Sequence, residues 1–87
     1  MPYTEEDKRR NITRLSRIRG QARALEQAIE TDGDCAAILQ QLAAMRGAVQ
    51  GLMANLLENH IQTTLAQQPT PEKIEEMLAL LRPYIVK

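Results

Sequence analysis

Apolar residues recur along the first third of the chain at Ile12, Leu15, Ile18, Ala22, Leu25 and Ile29, spaced by threes and fours. That is the period of an α-helix burying one stripe, and it predicts a helix over 5–30. Thr4 stands at its N-cap, with Asp7 three residues on in a capping-box-like position. Gly20 interrupts the stripe at modest cost. The run "TDGD" at 31–34 breaks the period, and Asp32 or Asp34 is placed to cap a second helix, expected over 35–66. The apolar positions of that helix are Ile38, Leu39, Leu42, Met45, Val49, Leu52, Met53, Leu56, Leu57, Ile61 and Leu65, a face wider than one neighbour covers, so it should meet two or more helices. "QQPTPEK" at 67–73 then reads as a linker and helix start, with Thr70 as N-cap and Pro71 at the first helical position. The third helix is short, over 71–81, and Pro83 should end it. No segment alternates as a strand does. The expected fold is all-α: a three-helix protomer made of a long antiparallel hairpin and a short C-terminal helix, in one domain spanning 1–87.

Composition sharpens this in one respect. The 87 residues include no Trp and no Phe, so Leu, Ile, Ala and Met must make the core. A chain of this length buries a small share of its surface, and self-association is a common remedy. The single cysteine excludes an intrachain disulfide. Nothing resembles a signal peptide or a membrane span, so a cytoplasmic protein without a membrane partner is expected. The sequence has no acid–base pair and no nucleotide loop, which argues against an enzyme.

Charge changes the picture more. The formal net charge is zero, yet Lys8, Arg9, Arg10, Arg14, Arg17, Arg19 and Arg23 fall within sixteen residues that hold no acid. From Ala24 onward acids outnumber bases, eight to four. Such segregation predicts a local cationic surface for a polyanion. Arg10, Arg14 and Arg17 should share a helix face, with Arg19 and Arg23 as a second pair. Arg46 on the second helix either extends that surface or supports packing.

The only cysteine and the only histidine, Cys35 and His60, sit near opposite ends of the second helix. At ~1.5 Å per residue they are about 37 Å apart and cannot form one site within one chain. The tight turn sets helices one and two antiparallel. Positions equidistant from that turn lie side by side, which brings Pro2 and Tyr3 beside 60–64 of the same chain. If two copies pair their second helices antiparallel about a two-fold axis, Cys35 of one faces His60 of the other whenever the crossing lies between Gly47 and Ala48. The smallest residues of the helix, Ala43, Ala44, Gly47, Ala48 and Gly51, cluster there, and small residues permit close backbone approach.

The stretch "RLSRIRGQARALEQAIETDGDCAAILQQLAAMRGAVQGLM" followed by "ENH" resembles the helical-hairpin core of the CsoR/RcnR/FrmR family of bacterial transcriptional repressors. The resemblance covers nearly the whole chain. It implies a homotetramer (a dimer of dimers), operator DNA bound by basic residues of helix one, and release when a ligand reacts at an intersubunit site containing Cys35. Copper sensors of the family use a Cys, a His and a second Cys four residues later; here the last position is Thr64. Nickel and cobalt sensors use His at the positions of Tyr3 and Thr64. Persulfide sensors place a Cys where His60 stands. The chain is closest to the formaldehyde-responsive, FrmR-like branch, which combines Pro2 with Cys35 and opens as "MPYTEEDKRR" does.

That branch implies a ligand-sensing set of Pro2, Cys35 and His60, with Tyr3 and Thr64 around it. After removal of Met1, Pro2 would present a secondary amine, which condenses with an aldehyde to an iminium. A cysteine thiolate, the reactive form of the thiol, can add to that carbon and join two subunits through an N–CH2–S bridge. His60 would take or orient the thiol proton. No cofactor is required. A transition-metal sensor (Cu, Zn, Ni or Co) of the same fold, with a Zn or Cu ion on Cys35 and His60, stays open as an alternative. So does a helical assembly module with no role on DNA.

Overall fold

The structure is a computed structural model that describes residues 4–85. Three helices succeed one another: α1 (Glu5–Glu30), α2 (Cys35–Ala66) and α3 (Pro71–Ile85). The described residues contain no strand.

Local chemistry sets each boundary. The Asp7 backbone N–H donates to the Thr4 hydroxyl at 3.0 Å and starts α1. The exit is a Schellman turn: Gly33 N–H donates to the Ala28 carbonyl at 2.7 Å and Asp32 N–H to that of Ile29 at 3.2 Å. Asp32 takes the left-handed conformation (φ 56°) that glycine usually supplies. Gly33 is required by space instead, since a Cβ there would stand 2.9 Å from the Ala28 oxygen. Of the two candidate caps for α2, Asp34 serves, accepting from Ala37 N–H at 3.1 Å. At the far end Gln68 is left-handed (φ 50°) and its N–H donates to the Leu65 carbonyl. Pro69 has no N–H, so the second bond of a Schellman turn cannot form there. Thr70 then caps α3 through Lys73 N–H.

Two expectations need correction. Helix α3 does not stop near Leu81; it passes through Pro83 and continues to Ile85. A proline there forfeits one intrahelical bond, to the carbonyl of Ala79, and close to a helix end that carbonyl reaches water. The apolar stripe of α1 is also not uniformly buried. Leu25 is buried and Ile18 half-buried against the hairpin, whereas Ile12, Leu15 and Ile29 are more than half exposed. The residues turned inward, Asn11, Ile18 and Leu25, recur every seventh position. That is the narrow seam of two paired helices rather than a broad globular face.

The hairpin register departs from simple equidistance as well. Equidistance from the turn would set Asn11 beside Ala54, but the Asn11 side-chain amide donates to the Asn59 carbonyl oxygen at 3.0 Å, more than one helical turn further on. Side chains lean toward the N-terminus of their own helix. In an antiparallel pair, the α1 side chain therefore leans away from the turn and its α2 partner toward it, which displaces the contact in the observed direction.

Among the described residues only Leu25, Met77 and Asn11 are buried in the single chain. Leu39, Leu42, Val49, Leu65, Leu80, Tyr84 and Ile85 are exposed large hydrophobics in addition to those of α1. An apolar surface this extensive marks an interaction face.

Candidate sensing site and cationic face

Cys35 is the first residue of α2, an exposed free thiol immediately after the capping Asp34. Its position is set by the turn: the Schellman bonds end α1, the cap begins α2, and no residue separates cap from cysteine. His60 lies near the other end of the same 32-residue helix. The structure therefore keeps the two apart within one chain, as helical spacing required.

His60 and Thr64, one turn apart, are brought together. They line a pocket between the end of α2 and the start of α3, with Thr63, Gln67, Lys73 and Glu76 among its other walls. Met77, the buried residue of α3, closes it on the apolar side. The contribution of Lys73 and Glu76 was not anticipated from sequence. Their roles in a solvated helix face gave no signal, and the loop at 67–70 that turns α3 back onto α2 had no readable geometry. Pro2 and Tyr3, the other proposed members of the sensing set, lie outside the described residues.

A metal demands more donors than the described residues of one chain bring together. Among the described residues no three His, Cys, Asp or Glu side chains come together as a group able to hold an ion. A closed tetrahedral site takes four ligands and even an open one takes three from protein. Cys35 paired with the His60 of a second copy would supply two, so a metal there would need further donors from outside the described residues.

The basic residues separate into two groups. Lys8 and Arg10 are engaged by glutamates of their own first turns, Lys8 to Glu5 at 3.0 Å and Arg10 to Glu6 at 2.9 Å. Arg9, Arg14, Arg17, Arg19, Arg23 and Arg46 are exposed and make no ion pair among the described residues. Arg9, Arg10, Arg14 and Arg17 line one shallow depression on α1 together with Glu6 and Thr13. The expected shared face of Arg10, Arg14 and Arg17 is thus present, with Arg9 added to it. Arg14 also reaches toward α2: its guanidinium is 3.9 Å from where a side chain would begin on Gly51. No described helix is long and apolar enough to cross a membrane.

Comparison with known proteins gives this arrangement a class. Residues 7–83 match the family model described as metal-sensitive transcriptional repressor. The chain belongs to that family, which is one of transcriptional regulators rather than enzymes. It is 39% identical over 89 residues to a transcriptional repressor RcnR homolog of Escherichia coli O139:H28 (strain E24377A / ETEC), covering 98% of this chain and 99% of that one. It is 47% identical over 90 residues to an uncharacterized protein in the bioA 5' region of Serratia marcescens, with 98% and 99% covered. A solved structure of a variant of the formaldehyde-responsive regulator FrmR from Salmonella enterica serovar Typhimurium superimposes with a TM-score of 0.83 at 46% identity, covering 94% of this chain and 98% of that one. The all-helical fold and the family resemblance read from the sequence are both borne out.

Proposed function

We propose that this transcriptional repressor is a cytoplasmic, homotetrameric DNA-binding protein that leaves its operator on reaction with formaldehyde, controlling aldehyde detoxification. The observation that carries this reading is the placement of groups along α2. Cys35 is exposed at its first residue, His60 faces a pocket near its end, and the space beside Gly47, midway between them, is open. Two copies crossing at Gly47 and Ala48 would join the thiol of one to the histidine pocket of the other. The similarity to the formaldehyde-responsive FrmR supports the choice of ligand.

In the proposed reaction the secondary amine of Pro2 adds to formaldehyde, and loss of water leaves an iminium. The thiolate of Cys35 from the neighbouring subunit donates its electron pair to the iminium carbon. One N–C and one C–S bond form, and the carbonyl oxygen departs as water with the amine and thiol protons. In this reading His60 takes the thiol proton and passes it to the departing oxygen, with Tyr3 and Thr64 shaping the site. The exposed arginines of α1, with Lys8 and Arg10 once released from their glutamates, supply phosphate contacts, and Arg46 extends the face.

The test is a mobility shift on the DNA upstream of the protein's own coding sequence, with and without formaldehyde. Retarded DNA that is released by formaldehyde supports the reading, and a protein whose N-terminal amine is blocked should bind but not release. A protein that never retards the fragment would instead be a helical assembly module. A second reading, a Zn- or Cu-responsive repressor using Cys35 and His60, is favoured by the metal-sensitive character of the family. It predicts release by the ion and none by the aldehyde.

A further inference from the structure

Asn11 is the one buried polar residue among the described residues, and its side chain is satisfied by a single long-range bond to Asn59. It occupies the seam position seven residues before Ile18 and fourteen before Leu25. A polar residue at one position of an otherwise apolar helix seam sacrifices some stability but fixes register, because only one alignment gives both partners a hydrogen bond. Its neighbours make the location informative. On α1, Asn11 follows Arg10 directly in sequence and precedes Arg14 by about one helical turn, and both arginines line the cationic depression on a neighbouring face of the same helix. On α2, Asn59 immediately precedes His60 of the pocket. N-terminal to Asn11, no described residue of α1 is buried. Any displacement of the start of α1 therefore meets this bond before any other buried contact.

We infer that the Asn11–Asn59 pair is the register lock that couples the sensing end of the hairpin to the arginine face. This rests on the proposed sensing reaction at Pro2 and Cys35. A bridge formed at Pro2 pulls on the first turns of α1, none of whose described residues before Asn11 is buried. The lock converts that pull into a shift of α1 as a unit, carrying Arg14 and Arg17 out of register with DNA. Without the lock the first turns yield locally and the arginines stay in place. Asn11 and Asn59 are positioning residues; neither touches the reacting atoms.

The experiment compares wild type with the double variant Asn11→Leu, Asn59→Leu and with Asn59→Asp alone. Replacing both partners by apolar groups removes directionality with little loss of stability, whereas Asp keeps the acceptor oxygen. Each protein is treated with formaldehyde, its intact mass is recorded, and its affinity for operator DNA is measured before and after. Coupling in allosteric proteins usually amounts to about 5–150-fold in affinity. The wild type and Asn59→Asp should show a loss in that range. The double variant should form the same adduct and lose about twofold or less. A double variant that forms the adduct and releases DNA as the wild type does overturns the lock and leaves the sensing reaction intact. A wild type that forms no adduct overturns the sensing reading and the lock with it, and the mass spectrum tells the two failures apart.

Discussion

The side chains of Asn11 and Asn59 meet across the hairpin at 3.0 Å, with Asn11 buried on the α2-facing side of α1, next to Arg10 in sequence, and Asn59 next to His60. One hydrogen bond thus stands between the face that would meet DNA and the pocket that would meet the inducer. Asn11→Ala removes the donor and leaves the Asn59 oxygen without its partner. Thermal unfolding at fixed protein concentration should show a loss of about 1–2 kcal/mol.

Leu25 is the most buried residue of α1, and Leu25→Ala should cost about 3 kcal/mol by lost burial and cavity formation. Ile29→Ala, one turn further along but exposed in the single chain, should instead be read in self-association. Sedimentation would show its assembly weakening with little change in helicity.

How far the sequence disclosed this division depends on the residue. Thr4, Asp34 and Thr70 declared the helix starts because each offers an oxygen to orphaned N–H groups. The wide face of α2 declared a need for neighbours. Asn11 was hidden because a polar residue reads as solvated, and only its spacing of seven residues from Ile18 and fourteen from Leu25 marks it as part of the seam. Pro83 misled because a proline near a helix end costs one bond, less than continued helix gains. Thr64 was brought beside His60 by the family resemblance, and helical spacing of four explains why the two share a face, while Lys73 and Glu76 required knowing how 67–70 folds α3 back.

The arginine face should be legible in salt dependence. Arg14→Gln and Arg17→Gln should each lower the slope of log affinity against log salt by about 0.9 for every subunit in which that arginine neutralises a phosphate. Glu6→Gln frees Arg10 from its 2.9 Å partner and should raise both affinity and slope. Titrations of the operator at several salt concentrations check the three together.

Gly33→Ala should destabilise the turn by about 1 kcal/mol, because the new Cβ would stand 2.9 Å from the Ala28 carbonyl oxygen. Since the same turn presents Cys35, the variant should also react more slowly with formaldehyde while binding DNA at low salt. Rates of adduct formation, monitored by mass, separate that effect from simple unfolding.

The most direct measurement is the intact mass of the denatured wild-type protein after exposure to formaldehyde, together with peptide mapping. The account predicts two chains joined covalently, heavier than their sum by one carbon atom for each bridge formed, with each bridge between the Pro2 amine of one chain and the Cys35 sulfur of the other. It also predicts no such product from Cys35→Ser. Chains that remain separate and unmodified at aldehyde concentrations that release DNA, or a protein released from DNA only by Zn(II) or Cu(I), would contradict it.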